Sequence, residues 1–140
     1  MFQGVEAYRH QHFPKAFQCF GAAREIADWL VEQENPLTAS RCTAVDMWAL
    51  AGHNLFATLC AMGAVEAAEK AVRSLHQKML GLCLQQWRQR QVRVAALANL
   101  DVSLFSLASY LGQRGKVAKI HRLIAQTDRA AETSAKQLFH

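Results

Sequence analysis

Residues 48–75 read WALAGHNLFATLCAMGAVEAAEKAVRSL and predict two amphipathic helices joined by a tight turn at Gly63. Large apolar side chains recur every three or four residues on both sides of this glycine, which is the spacing of one helical face. The apolar positions before the turn are Trp48, Leu55, Phe56 and Leu59, and those after it are Val65, Ala68, Val72 and Leu75. The stretch therefore predicts a helical hairpin.

Similar segments fill the remainder of the chain and predict an all-α fold of six helices. Good helix formers dominate, whereas sustained apolar–polar alternation and Asn-Gly or Asp-Gly hairpin turns are missing from the sequence. The helices are expected from about Phe2 to Gln11, from Pro14 to just before Asn35-Pro36, from Thr38 or Thr43 to Gly63, from Val65 past Leu80 to a weak break near Gly81, from about Gln86 to Leu111, and from about Lys116 to beyond Ala131.

The hairpins show an internal repeat when the turns at His12, Gly63 and Gly115 are aligned, which are 51 and then 52 residues apart. The residues after each turn then correspond: Phe13, Ala16, Phe20 and Ala23 align with Val65, Ala68, Val72 and Leu75, and with Val117, Ile120, Ile124 and Thr127. Tyr8, Leu59 and Leu111 align before the turns. A recurring apolar hairpin is typical of helical-repeat proteins, because one hairpin cannot bury its own apolar face.

These positions resemble the tetratricopeptide repeat, in which small residues let paired helices approach and large ones fill the space between hairpins. The second-helix pattern is carried by Ala16, Phe20 and Ala23, the first-helix pattern by Trp48, Ala51, Gly52 and Leu55, and the turn and next helix by Gly63, Val65, Ala68 and Val72. The chain also resembles a small family of bacterial proteins with such hairpins. The resemblance implies one domain over residues 1–140, built as a right-handed array of three stacked antiparallel hairpins at about 1–35, 38–85 and 86–135. It also implies a concave face lined by the first, third and fifth helices.

Composition narrows the class of protein. The chain has 140 residues, of which 51% are hydrophobic and 19% charged, so we expect a folded domain with its own core. No run of 18 apolar residues and no basic, apolar leader occurs, so we expect neither a membrane span nor a signal peptide. Cys19, Cys42, Cys60 and Cys83 lie in apolar helical contexts without a CxxC pair. We therefore expect reduced thiols and a cytoplasmic location.

Candidate partner-binding residues on the third helix are Arg41, Asp46, His53 and Asn54. They could line the concave face, although a polar helix side facing water gives the same pattern. Repeats that grip acidic C-termini use Lys, Arg and Asn at set positions of first helices. Here the third helix offers Arg41 and Asn54 and the first helix only Arg9, so that activity is not predicted.

A second candidate set opens the fifth helix and comprises Trp87, Arg88, Arg90 and Arg93. Basic residues around an aromatic ring can bind phosphate or single-stranded nucleic acid. The alternative is a solvated helix start with Trp87 packed below it. Because cations oppose the dipole at a helix N-terminus, local helix stability does not explain these arginines.

The function predicted from these features is a non-catalytic protein–protein interaction module, an adaptor or small chaperone. The alternatives are a regulatory or nucleic-acid-binding module, and an enzyme whose site is assembled from scattered residues. The chain carries no zinc-ligand spacing, P-loop, GxGxxG or GxSxG motif, so no cofactor or metal is expected. A salt-sensitive shift of single-stranded nucleic acid would favour the first alternative.

The apolar spacing also predicts the core. The residues expected to be buried between hairpins are Phe20, Trp48, Leu55, Phe56, Leu104 and Leu107.

The charge is distributed unevenly along the chain. Residues 1–70 carry a net charge of −3 and residues 71–140 one of +8, while both ends of the chain carry apolar residues. These opposite charges would attract in a second copy, so we predict a homodimer formed through a terminal hairpin and not through the concave face.

Overall fold

A computed structural model describes residues 1–33 and 41–139, with backbone only for residues 41–43. Over these residues the chain is all-α, as predicted, with six helices and no strand. The helices are α1 (Phe2–Arg9), α2 (Phe13–Glu32), α3 (Arg41–Ala61), α4 (Val65–Leu84), α5 (Arg90–Gln113) and α6 (Val117–Phe139).

Two predicted boundaries are wrong. The weak break expected near Gly81 does not occur, because α4 continues to Leu84 before it ends. The fifth helix begins at Arg90 and not near Gln86, so Trp87 and Arg88 lie in the turn that precedes it. The Asn35-Pro36 segment lies outside the described residues.

Three turns in the described chain share one backbone conformation. Gln11, Gly63 and Gly115 have φ values of 61°, 70° and 71°, in the left-handed region that ends many helices. The next residue in each turn donates its N–H to a carbonyl five residues earlier, at 2.7–3.0 Å, from His12 to Ala7, from Ala64 to Leu59 and from Lys116 to Leu111. This is the hydrogen bond of the Schellman motif, which satisfies a helix carbonyl left without a partner.

These turns correct the register of the sequence repeat. The first turn is centred on Gln11 and not on His12, so the three turn residues lie 52 residues apart in both intervals. The residue four positions before each turn is then Ala7, Leu59 or Leu111, and all three side chains are buried. Tyr8, which the sequence alignment placed in that row, is exposed.

The chain divides into two compact units, Met1–Val72 (unit 1) and Arg73–His140 (unit 2). In unit 1, α1 packs on α2 and α2 packs on α3. Ala7, Ala16, Phe20 and Leu55 form a buried cluster there, with Met1 and Val5 at its edge. A Cβ atom added at Gly4 would lie 2.7 Å from the Phe20 ring, so glycine permits the close approach of α1 to this cluster.

In unit 2, α5 packs on α6. Its largest fully buried apolar side chains are Leu75, Met79, Leu82, Val92, Leu100, Leu107 and Leu111. The second half of α4 supplies the first three of these, and α5 supplies the others.

The predicted core is confirmed for Phe20, Trp48, Leu55 and Leu107, which are buried. Phe56 and Leu104 are only half-buried. Phe56 follows the buried Leu55 and is turned by 100° of helix rotation to the edge of the packed face. Periodicity identifies a helical face, but it does not fix the width of the buried stripe.

Candidate functional site

The candidate residues on α3 differ in their exposure to solvent. Asp46 is exposed, whereas His53 and Asn54 are half-buried. Asn54 donates its side-chain N–H to the Met1 sulfur at 3.7 Å, and burial lowers the pKa of His53. The Arg41 side chain lies outside the described residues. Of the predicted α3 residues, Asn54 therefore contacts the N-terminal residue of the chain.

In the turn before α5, the exposed Trp87 ring stacks on the half-buried Arg88 side chain. The Arg88 guanidinium carbon lies 4.1 Å from the centre of the Trp87 ring, and 69% of Trp87 is exposed. Arg88 also donates to the Gln85 side chain at 2.8 Å. The alternative in which Trp87 is packed below the helix start is therefore wrong.

Arg90 and Arg93, from the same predicted basic group, bond to the ends of two other helices. Arg90 Nη2 donates to the Leu138 carbonyl at 3.1 Å, at the end of α6. Arg93 Nε donates to the Cys83 carbonyl at 2.9 Å, at the end of α4. The last carbonyls of a helix lack backbone partners and carry the negative end of its dipole, so cations are favourable there. This accounts for the arginines that are unfavourable for α5 itself.

Arg93 is the centre of a buried polar cluster. Its Nη2 donates to Gln137 Oε1 at 2.6 Å, and its side chain is almost inaccessible to solvent. The Ser134 hydroxyl donates to the same Cys83 carbonyl at 2.8 Å. Arg93 on α5 therefore links α4 and α6 through its hydrogen bonds. The prediction that Arg93 contacts a partner does not agree with the burial of its side chain.

Cys83 is buried beside this cluster. Burial raises the pKa of its thiol, and the Ser134 hydroxyl and the Arg93 charge offset that rise only in part. Cys19 and Cys60 are also free thiols, of which Cys60 is exposed. The Cys42 side chain lies outside the described residues. A protonated, inaccessible thiol is a poor nucleophile, so Cys83 is a packing residue.

A second buried polar cluster, one helical heptad earlier on α4, is centred on His76. Its Nδ1 lies 2.8 Å from Ser103 Oγ on α5, and its Nε2 lies 2.9 Å from Thr127 Oγ1 on α6. Ser103 Oγ also lies 2.9 Å from the Leu100 carbonyl. A neutral imidazole carries one N–H, so one ring nitrogen of His76 donates to its hydroxyl partner and the other accepts from its partner.

Complete burial with both ring nitrogens hydrogen-bonded gives the His76 cluster a structural role. All three side chains are fully buried, and desolvation lowers the pKa of His76 to about 4. The neutral ring therefore holds three helices together through two hydroxyl groups. Within the described residues, no three His, Cys, Asp or Glu side chains are grouped so that they could hold a metal ion.

The solvent-facing side of α5 combines exposed apolar residues with polar ones, among them Asp101. Val102 is 56% exposed and Phe105 is 73% exposed, and Ala98 is exposed one turn before Val102. α5 is long and apolar enough to cross a membrane, but the core helices of soluble proteins often have the same length and composition. In the most apolar 18-residue stretch of α5, 39% is buried. We call Ala98, Val102 and Phe105 the α5 face.

A groove of about 410 Å³ lies between α4 and α6 in unit 2. Leu80 and Ala130 are its buried apolar residues, and Leu84 and Arg129 are exposed along it. Its volume is in the range of about 300–1,000 Å³ that binding pockets have. It is an open, amphipathic groove with a cation on its α6 side.

Sequence reasoning missed both the α5 face and the groove. The signal for the α5 face was present, because Val102 and Phe105 lie outside the apolar stripe formed by Leu100, Leu104 and Leu107. A helix with apolar residues on all sides is normally buried on all sides. No local signal marks the groove, since it depends on the packing of α4 residues against α6 residues that are more than 40 positions away in the sequence.

Comparison with known proteins places the chain in a family without a known activity. A family model described as a protein of unknown function (DUF2753) matches residues 1–140. No curated protein and no solved structure matches the chain significantly.

Proposed function

The chain belongs to the DUF2753 family, and we propose that it is a non-catalytic protein–protein interaction module that binds a partner segment on the α5 face. The observation that carries the proposal is the exposure of Val102 and Phe105 on a helix whose apolar residues are not confined to its buried side. Water contact with such a surface is unfavourable, at roughly 25 cal/mol per Å² of apolar area. Contiguous exposed apolar surface of this kind marks interaction sites in folded proteins.

We further propose that the hairpins are arranged as in tetratricopeptide repeats, whose arrays bind partner segments. The repetition of the turn at Gln11, Gly63 and Gly115 gives each first helix the same end and each second helix the same start. In such arrays the first helix of each hairpin faces the concave binding surface. We assign α5 to that position, so the α5 face is the surface on which a partner helix or extended peptide packs.

The two buried polar clusters support a binding role over catalysis. His76 and Arg93 are both buried, and their bonds are to Ser103, Thr127, Gln137 and the Cys83 carbonyl. These contacts hold the three helices of unit 2 in place. A rigid support of this kind lowers the entropy cost of presenting the α5 face to a partner.

The test is affinity purification from the cells that produce the protein, comparing the unaltered chain with a Val102→Ser/Phe105→Ser variant. The matched control is Phe2→Ser, because Phe2 is 85% exposed and lies in the other unit. The proposal predicts a co-purifying protein that is lost with the α5 variant and retained with the control. Retention with both variants would contradict it, provided that circular dichroism shows both variants folded.

Nucleic-acid binding is the weaker alternative. The Trp87–Arg88 stack supports it, since aromatic rings and arginines stack on bases. Arg90 and Arg93 support it less, because both bond to helix ends. Binding of single-stranded DNA or RNA that weakens steeply with salt and is lost in Trp87→Ala would favour this alternative over the α5 face.

A further inference from the structure

We propose that copies of this chain associate through the outer side of α2, which docks into the groove between α4 and α6 of another copy. The two surfaces lie on different units of one chain, and neither includes the α5 face. This association is separate from the proposed function, and either can fail without the other.

The docking side of α2 is apolar and acidic. Ile26 is 57% exposed and Trp29 is 62% exposed, so the folded chain leaves most of both side chains in contact with water. Glu25, Asp28 and Glu32 lie on the same exposed side of the helix. Tryptophan with a rim of charge is the kind of side chain that dominates protein interfaces, because it buries a large area with few rotatable bonds.

The groove has the opposite charge. Its buried apolar residues, Leu80 and Ala130, match the apolar character of the Trp29 ring. Arg129 lines the groove on α6, and Arg122 lies seven residues earlier on the same exposed side of that helix. The side chains that border the groove on α4 include the uncharged Gln77 and Leu84. An acidic, apolar helix therefore fits this groove better than a basic one.

The spacing of charges is the same on both surfaces. Glu25 and Glu32 are seven residues apart on α2, and Arg122 and Arg129 are seven residues apart on α6. At 1.5 Å per residue each pair spans about 10.5 Å along its helix. Two helices packed side by side can therefore form both ion pairs at once, in either direction, while Trp29 enters the groove.

A second copy is the occupant for which the chain itself supplies complementary chemistry. Both surfaces are exposed, both are apolar at the centre, and their charges are opposite. Apolar burial supplies the affinity of such a contact, whereas the charges mainly set orientation and association rate. Raising the salt concentration should therefore weaken the association without abolishing it.

The experiment is to measure the mass of the full chain by light scattering at about 100 μM in low salt. We expect a mass above the 15.6 kDa of one chain. Trp29→Ala and Arg129→Glu should each shift the mass toward one chain, whereas Phe2→Ala should not, because Phe2 is an exposed aromatic residue on neither surface. Circular dichroism verifies that each variant keeps its helices.

Charge reversal tests the pairing itself. Glu25→Lys/Glu32→Lys should lower the association constant tenfold or more, and adding Arg122→Glu/Arg129→Glu in the same chain should restore it. A mass of one chain for the unaltered protein would overturn the proposal. Association that persists in Trp29→Ala and Arg129→Glu, or that Phe2→Ala removes equally, would assign the contact to another surface and overturn it as well.

Discussion

Lowering the pH from 7 to 4 should destabilise unit 2 by about 3 kcal/mol through His76 alone. The pKa of this residue falls from 6.5 to about 4 because burial removes water from the ring. Each unit of pKa difference between the folded and unfolded states corresponds to about 1.4 kcal/mol. Protonation would also put a proton on both ring nitrogens, so neither hydroxyl could then donate to the ring.

The direction follows from proton binding. Between pH 6.5 and about 4 the unfolded chain binds a proton at His76 and the folded chain does not, so acid favours unfolding. The stabilising contribution of the neutral ring is complete above pH 6.5. It decreases as the pH falls through this window and shows no further loss below about pH 4, where both states are protonated.

Hydrogen exchange of the α5 amides, corrected for the intrinsic rate at each pH, measures the opening of unit 2 by itself. The control is His76→Gln, which keeps a polar side chain but cannot titrate. We expect the opening free energy to fall by about 3 kcal/mol more in the unaltered chain than in the control between pH 7 and 4. Equal pH dependence in both proteins, or an NMR titration of the ring near pH 6.5, would refute the reasoning.

Four substitutions test the packing and the turns, each by urea denaturation. Phe20→Ala should cost about 3–5 kcal/mol because it empties a full core position, and a loss below about 1 kcal/mol would contradict its burial. Gly4→Ala should destabilise unit 1 by about 1–2 kcal/mol because the new methyl group would clash with the buried Phe20 ring. Gly21→Ala has open space at its Cβ and should instead stabilise the protein by about 0.5–1 kcal/mol. A change of stability in the same direction for both substitutions would contradict this packing. Gln11→Gly should stabilise by about 0.5–1 kcal/mol by relieving a positive φ, and a loss of stability would show that the turn is not strained. Arg93→Met should cost about 1–3 kcal/mol because the buried Cys83 carbonyl at the end of α4 loses its guanidinium donor; an unchanged free energy of unfolding would exclude this capping role.

The helices and turns were predictable because their signals are local. Gly63 and Gly115 mark helix ends by residue type, and the apolar spacing around them identifies the packed faces. Gln11 was not identified as the equivalent residue, because glutamine rarely adopts positive φ. The residues around it include no glycine that would indicate the position of the turn. The alignment therefore placed the first turn one residue late.

The polar clusters were not predictable because their partners are distant in sequence. Arg93 bonds to Gln137, which is 44 residues away, and His76 bonds to Thr127, which is 51 residues away. From sequence alone, the arginines at the start of α5 resembled a surface for an outside partner. In the structure, Arg90 and Arg93 bond to carbonyls at helix ends. Val102 and Phe105 are exposed, but apolar residues in a helical sequence are ordinarily assigned to the core, so their exposure was not predicted.

The central claim is that the α5 face binds another protein, and site-specific photo-crosslinking at position 105 tests it most directly. A photoreactive phenylalanine analogue replaces Phe105 in one protein and Phe2 in the matched control, and each is irradiated in the cells that produce the chain. We expect a crosslinked protein of defined mass, different from this chain, at position 105, and no such product at position 2. The account would be contradicted by irradiation at position 105 that yields no crosslinked protein, only crosslinks to a second copy or to lipid, or the same products as at position 2.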